Sequence, residues 1–453
     1  MLNLRLAEIA VWTRGRLSGA DADVHGVATD TRALRAGDLF VALKGERVDA
    51  HDFLDAARAA GAAAALVARK VDVPLAQIVV ADTERALGDL AAAVRARSDA
   101  RVIGITGSNG KTTVKTLTAS ILALHGVTHW TQGNYNNEIG LPLTLLALPP
   151  ETAFAVLEMG AGKPGDIAYL AAIARPEIAL VNNIAPAHLE RLRSLEGVAE
   201  TKGALYEALP DDGVAIVNGE DAFAALFTGL AGARRTLCFG FSAAFDIWAD
   251  ALDLGLTSRF RLHTPQGDAD VALPLAGRHN VSNALAAAAI AHALDVPLAT
   301  IRRGLEEASA VAGRLVRHDT GAGWTLIDDS YNANPGSAAA AVDTLVLQPG
   351  ESWLVLGDMK ELGDEAVDLH ARIGAHARAA GVRRLYATGD LSRAAADAFG
   401  EGAQHFADQR ELIERLRADL RAGVCCLVKG SRSSAMDRVV AALLGAKGDA
   451  HAA

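Results

Sequence analysis

A polyphosphate is held by clustered backbone N–H groups, a cation and a metal-binding hydroxyl, and Gly107-Ser108-Asn109-Gly110-Lys111-Thr112-Thr113 offers all three in one short run. Gly107 and Gly110 let the backbone turn tightly and approach an anion, and the helix expected next turns its positive end to the same point. Lys111 would reach the terminal phosphates, and the Thr112 hydroxyl would sit on a bound magnesium ion. Position 105 is isoleucine where the strict G-x-x-x-x-G-K-S/T pattern has glycine, so the run reads as a variant nucleotide loop. The alternative is an ordinary strand-to-helix turn.

Other groups are spaced to join this loop. Glu158 ends the apolar run Phe154-Ala155-Val156-Leu157, and the carboxyl end of a parallel strand delivers side chains to a ligand crevice. A carboxylate there suits magnesium; the plainer reading is a solvated or helix-capping acid. His188 follows the next strand candidate, 178–182, and would arrive at the same sheet end. Asn134, Asn136 and Asn137 lie between Gly133 and Gly140, and amides that both donate and accept can orient uncharged groups such as sugar hydroxyls. A capped turn accounts for one of the three. Asn280 precedes an expected helix over 284–294 whose N-cap is Ser282 or Asn283, which leaves Asn280 for a base.

The elements that must position these groups fall into three α/β sections. Residues 1–82 alternate short apolar runs at 37–43, 63–67 and 77–80 with a helical pattern at 53–60, a size that suits a small substrate-holding domain. Residues 83–313 open with a helix over 83–97, enter the phosphate loop and continue through strand candidates 153–157, 178–182 and 215–217. Helices between them argue for a mostly parallel sheet covered on both faces. Residues 314–453 repeat the alternation with strand candidates 324–327, 353–356, 384–387 and 425–429, a second nucleotide-type domain.

Composition bounds the rest. The chain has 453 residues, enough for about two to four domains. Its net charge of −10 argues against broad nucleic-acid binding, so an anionic ligand must be held by a local site. No charge-free apolar run of about 20 residues appears, and Arg5 and Glu8 interrupt the start, so a soluble, cytoplasmic protein is expected. Cys238, Cys425 and Cys426 are too few for a disulfide framework.

Taken together, the loop 106–113, the later Gly277-Arg278-His279-Asn280-Val281-Ser282-Asn283 and Asp329-Ser330-Tyr331-Asn332-Ala333-Asn334-Pro335 resemble the ATP-dependent Mur ligases of peptidoglycan synthesis. Within that family, 133–142, Asn332 to Pro335 and Leu356-Gly357-Asp358-Met359-Lys360-Glu361-Leu362-Gly363 are similar to the branch that adds D-alanyl-D-alanine to UDP-N-acetylmuramoyl-tripeptide. The resemblance covers essentially the whole chain, including Asp30-Thr31-Arg32 and 37–45.

It implies an N-terminal UDP-sugar domain, a central ATPase and a C-terminal Rossmann-like domain that closes over the site. It also implies ATP and magnesium as cofactors, two small-molecule substrates, a monomer, and an acyl-phosphate route to an amide. Under it, Gly107, Ser108, Asn109, Gly110, Lys111, Thr112 and Thr113, with Asn280, Arg314 and Asp329, hold ATP. Thr112, Glu158, His188 and a carbamylated Lys202 hold magnesium, and Lys111, Lys202, Glu158 and His188 form the catalytic set. Without the resemblance Lys202 reads as a surface lysine. Ala204 and Tyr206 depart from the acid and phenylalanine usual nearby. Asp30, Thr31, Arg32 and Lys44 are expected at the UDP-sugar, Asn134, Asn136 and Asn137 at substrate, and Asn334, Asp358, Lys429 and Ser431 at a dipeptide site between domains. A sister ligase adding a single amino acid, a folylpolyglutamate synthetase with the same core, and a nucleotide-dependent switch that does not ligate are the rival readings.

Overall fold

A computed structural model describes residues 3–187 and 189–445. Three large sheets organise them, beside a two-stranded antiparallel pair of Leu4–Arg5 with Asp23–Val24. The first has five strands and runs in chain position from Arg16–Ser18 to Ala76–Val79; all its pairings are parallel except that of Arg16–Ser18. The second has nine strands, from Arg101–Thr106 to Gly267–Leu273, and the third six, from Val316–Asp319 to Val424–Lys429.

The nine-stranded sheet holds the chemistry. Arg101–Thr106 lies between Phe154–Glu158 and Ile178–Val181, parallel to both; from it the chain runs to the edge strand Thr128–Trp130, returns to Phe154–Glu158 and then crosses over to Ile178–Val181 on the other side. That reversal opens a crevice at the strands' carboxyl ends. Alternate residues separate cleanly: Val102, Ala155, Leu157, Ala179 and Val181 enter one core, while Ile103, Ile105, Val156, Ile178 and Leu180 enter the other. A period of two with apolar residues on both faces is what a doubly covered parallel sheet demands.

Beyond Arg235–Gly240 and Ile247–Leu254 the sheet turns antiparallel through Ser258–Thr264 and Gly267–Leu273. The sequence reading had no strands here, although Phe260 and Leu262 are buried between exposed Arg259 and Arg261 in the alternation of a one-sided strand. The helix Arg278–Ala293 covers this sheet, and its alanines 284, 286–289 and 291 are fully buried. Small side chains let it lie close against strands and the helix Lys111–Ala123. It starts at Arg278, six residues before the expected 284, with Gly277 at φ 96° as its boundary; Ser282 and Asn283 are inside it and cap nothing.

The third sheet repeats the pattern with Val424–Lys429 between Thr325–Asp329 and Glu351–Gly357. The edge strands Val316–Asp319 and Ala403–Phe406 were not foreseen. No helix among the described residues is long and apolar enough to cross a membrane.

Candidate active site

The loop after Arg101–Thr106 is fixed by the loop after Ile178–Val181. Ser108 N–H donates to the Asn183 carbonyl at 2.9 Å and Asn109 N–H to Asn183 Oδ1 at 2.9 Å, while the Asn109 carbonyl accepts from Asn182 and Asn183 side chains at 3.0 and 3.1 Å. Gly110 has φ 79°, and a Cβ there would collide with the Asn283 and Asn182 side-chain amides, so this position accepts only glycine. No side chain caps the helix Lys111–Ala123, which leaves its first-turn N–H groups for an anion. Thr113 lines the same cleft.

Thr112 is the junction. Its Oγ1 donates to Glu158 Oε2 at 2.9 Å and accepts from Arg314 Nη2 at 2.9 Å, joining the loop to the end of the neighbouring strand and to the start of the last section. Glu158 is buried, yet its pKa is lowered: burial pushes it up, and Lys111, Lys115, the Asn136 amide and Arg314 together outweigh that. Asn136 Nδ2 donates to Glu158 Oε1 at 2.8 Å, and Thr131 Oγ1 receives the Glu158 N–H at 3.0 Å. Lys111 donates to the Gly107 carbonyl at 2.8 Å and lines the same cleft.

Lys202, on the helix Leu195–Glu207, is 1% exposed and makes no hydrogen bond or ion pair with a described residue. Burial, with Lys111 nearby, pushes its amine well below the usual lysine value. The surface reading is thus overturned. Nearby, Tyr206 gives its hydroxyl to the Ile216 carbonyl at 2.6 Å and accepts the Val181 N–H at 2.9 Å, tying two strands together as a phenylalanine could not. His188 lies outside the described residues.

The cleft beside the loop has a volume of about 340 Å³ and is walled by both the central and the last section. Asn280, buried, donates to the Ala276 carbonyl just before the helix at 2.8 Å and accepts from Asn283 at 3.2 Å, which leaves one amide hydrogen and one oxygen lone pair. Arg314 lies over the Tyr331 ring at 4.6 Å. Asp329 pairs with Lys429 and accepts the Leu315 N–H at 3.2 Å; burial pushes its carboxyl up against the pull of that lysine.

Two residues expected at a dipeptide site, Asn334 and Lys429, line this cleft beside the phosphate loop. Asn334 donates to Asn109 Oδ1 at 2.8 Å while capping the helix Pro335–Val346, and Lys429 also contacts the Asn332 carbonyl at 3.1 Å. Asp358 accepts the N–H groups of Leu391 and Ser392 at 3.1 and 2.8 Å and Lys360 at 2.9 Å, which binds loop to loop at the third sheet's carboxyl end. Ser431 donates its N–H to the Asp358 carbonyl at 2.9 Å. Asn137 gives its oxygen to the N–H groups of Ile139 and Gly140, so it is the capping member of the asparagine trio; Asn134 is exposed.

Asp30, Thr31 and Arg32 follow the strand Gly26–Ala28, and Lys44 follows its parallel neighbour Asp38–Val41, so all four share one sheet end, with Arg32 held on Asp30 at 2.6 Å. Sequence reasoning missed Lys115, buried 3.4 Å from Glu158 Oε2. Its signal was available, since four residues after Lys111 is the same helix face.

Family models match three parts of the chain: the Mur ligase family catalytic domain at 23–95, the Mur ligase middle domain at 105–291, and the Mur ligase glutamate ligase domain at 313–432. The chain is 47% identical over 448 residues to the UDP-N-acetylmuramoyl-tripeptide–D-alanyl-D-alanine ligase of Escherichia coli K12, covering 98% of this chain and 99% of that protein. Among solved structures it is similar to MurF from Acinetobacter baumannii, with TM-score 0.93 and 37% identity over 98% of this chain and 99% of that one. It is also similar to the MurF ligase of Thermotoga maritima in complex with ADP, with TM-score 0.84 and 27% identity over 93% and 97%. On these matches over nearly its whole length, the chain belongs to the Mur ligase family.

Proposed function

We propose that this protein is the ATP-dependent ligase that joins D-alanyl-D-alanine to the terminal carboxylate of UDP-N-acetylmuramoyl-tripeptide, giving the pentapeptide, ADP and phosphate. The observation that carries the reading is the Thr112 hydroxyl, shared between Glu158 and Arg314 at the foot of the phosphate loop. A carboxylate is unreactive toward an amine until one oxygen becomes a leaving group. Transfer of the γ-phosphoryl of ATP to that oxygen makes an acyl phosphate; the dipeptide amine then forms the C–N bond as the C–O bond breaks, phosphate leaves and the amine proton passes to solvent or phosphate.

Each step asks something of named groups. Lys111 exchanges the Gly107 carbonyl for phosphate oxygens, and Arg314 faces the charge that develops on the transferred group. Thr112 and Glu158 are hard oxygen donors in a buried pocket, a set that fits magnesium; when bound, the ion would neutralise charge on the phosphates. Lys202 fits the third place only after reaction. With burial pushing its amine toward the neutral form, its nitrogen can attack carbon dioxide, forming N–C as one C–O double bond opens and losing a proton to water, and the resulting carbamate supplies oxygens where the amine has none. His188 is retained as a fourth member from the sequence. Asn280, Asp329 and Asn334 shape the nucleotide cleft; Asp30, Thr31, Arg32 and Lys44 suit the UDP-sugar.

One chain carries every group named, so the reading needs no second copy, and it places the reaction in the cytoplasm, where ATP is supplied. The rival that adds a single amino acid is disfavoured by full-length similarity to the dipeptide-adding relative. The test is release of ADP and phosphate by purified protein with magnesium, ATP and UDP-N-acetylmuramoyl-tripeptide, with D-alanyl-D-alanine or single amino acids in parallel. Pentapeptide mass with the dipeptide alone is expected; turnover only with a single amino acid, or with no acceptor, overturns the reading.

A further inference from the structure

The mechanism above makes no use of the buried Lys115. Lys115 lies one helical turn beyond Lys111, is 3% exposed, and stands 3.4 Å from Glu158 Oε2, the oxygen that also receives the Thr112 hydroxyl. Its Nζ is 3.5 Å from the Gly133 carbonyl, at the start of the loop that sends Asn136 to the other oxygen of Glu158. One ammonium therefore touches the carboxylate and the loop that brackets it. A buried carboxylate with no counter-charge is costly, and a lysine this deep has few reasons to be there other than that charge.

We propose that Lys115 is a positioning residue, a resident counter-cation that neutralises Glu158 before the divalent ion arrives and must yield that oxygen to it. The inference rests on Glu158 being a metal ligand. Its consequence is an order of assembly. While the ammonium occupies Glu158, a divalent ion alone gains little from the site. Nucleotide phosphates add the negative charge that lets ion and ammonium be accommodated together, with Lys115 moving toward the phosphates or the Gly133 carbonyl. Loss of the ammonium removes the competitor, so the nucleotide-free protein should hold a divalent ion better.

The experiment is a titration of the full-length protein with Mn²⁺, following the free-ion electron paramagnetic resonance signal, with and without ADP, for the wild type, K115M, K115Q, K115R and E158Q. Without nucleotide, K115M and K115Q are expected to bind Mn²⁺ at least about tenfold more tightly, because a like charge a few ångströms from the site has been removed. K115R keeps the charge and should stay within about twofold of wild type on the same ground. K115Q retains a donor for the Gly133 carbonyl, so it holds the loop if K115M does not fold. Unchanged or weaker Mn²⁺ binding in the charge-removing variants, with E158Q weakening it, overturns the role of Lys115. If E158Q leaves Mn²⁺ binding untouched, the reading of Glu158 as a ligand fails first, and the inference with it.

Discussion

Lys202→Met separates two accounts of the buried amine by a change in stability of opposite sign. Lys202 is 1% exposed and has no partner among the described residues, and a buried polar group left unpaired costs about 1–3 kcal/mol. Methionine keeps much of the length and volume of the stem, so in buffer freed of carbon dioxide K202M should be more stable than wild type by roughly 1–2 kcal/mol, about 2–8 °C in melting temperature for a domain of some 200 residues. The pH dependence follows from the direction of the shift. Below the ordinary value of 10.5 the unfolded chain binds a proton that the folded chain refuses, so wild-type stability rises with pH between the lowered folded value and 10.5. The advantage of K202M is therefore largest near neutrality and closes toward pH 10. Bicarbonate should raise the melting temperature of wild type alone, by converting amine to carbamate. Turnover should fall by about 10–100-fold or more, the usual scale for loss of a group that organises a metal. Scanning calorimetry at pH 7 and 9.5, with and without bicarbonate, reads all of this. A variant that melts below wild type by the same margin at both pH values would mean a charged, paired lysine and would refute the reasoning.

Asn334→Ala removes both the bond to Asn109 and the cap of Pro335–Val346, and should cost about 1 kcal/mol in the last section's unfolding while raising the KM for ATP more than that for the dipeptide, as steady-state kinetics will read. His279 is held neutral, its pKa pushed down to about 4 by burial and then by Lys429. Here the unfolded chain gains a proton below 6.5 that the folded one does not, so stability falls as pH drops from 6.5 toward 4, by about 2 kcal/mol at pH 5; His279→Asn should flatten that limb in denaturant titrations.

The phosphate loop was legible because its chemistry is local: Gly107, Gly110, Lys111 and Thr112 are contiguous, and each residue type has one evident use. Glu158 was legible from the strand it ends. Lys202 was not, because nothing adjacent in sequence reveals that the helix Leu195–Glu207 turns that one side chain inward; only the resemblance singled it out. The contacts of Asn334 and Lys429 were hidden for a related reason, since their partners Asn109 and Asp329 lie 225 and 100 residues away. Asp358 illustrates the limit of charge as a signal: its Oδ1 accepts two backbone N–H groups and its Oδ2 accepts Lys360, contacts that an acid at a strand's end does not announce. The antiparallel strands were missed although their alternation is plain, because parallel units were the expected pattern.

A hydroxyl oxygen has one hydrogen and two lone pairs, and at Thr112 that valence is nearly used up. The hydrogen goes to Glu158 and one lone pair to Arg314, so a single lone pair is left. The arginine and a metal ion can thus occupy the same oxygen at once, and arrival of the last section at the loop does not require the ion to leave. Serine could carry the same valence, whereas valine, close to threonine in shape, would delete donor, acceptor and ligand in one stroke. Glu158, Arg314 and the ion are joined through one atom, and their energetic effects are those of a unit rather than of three separable parts.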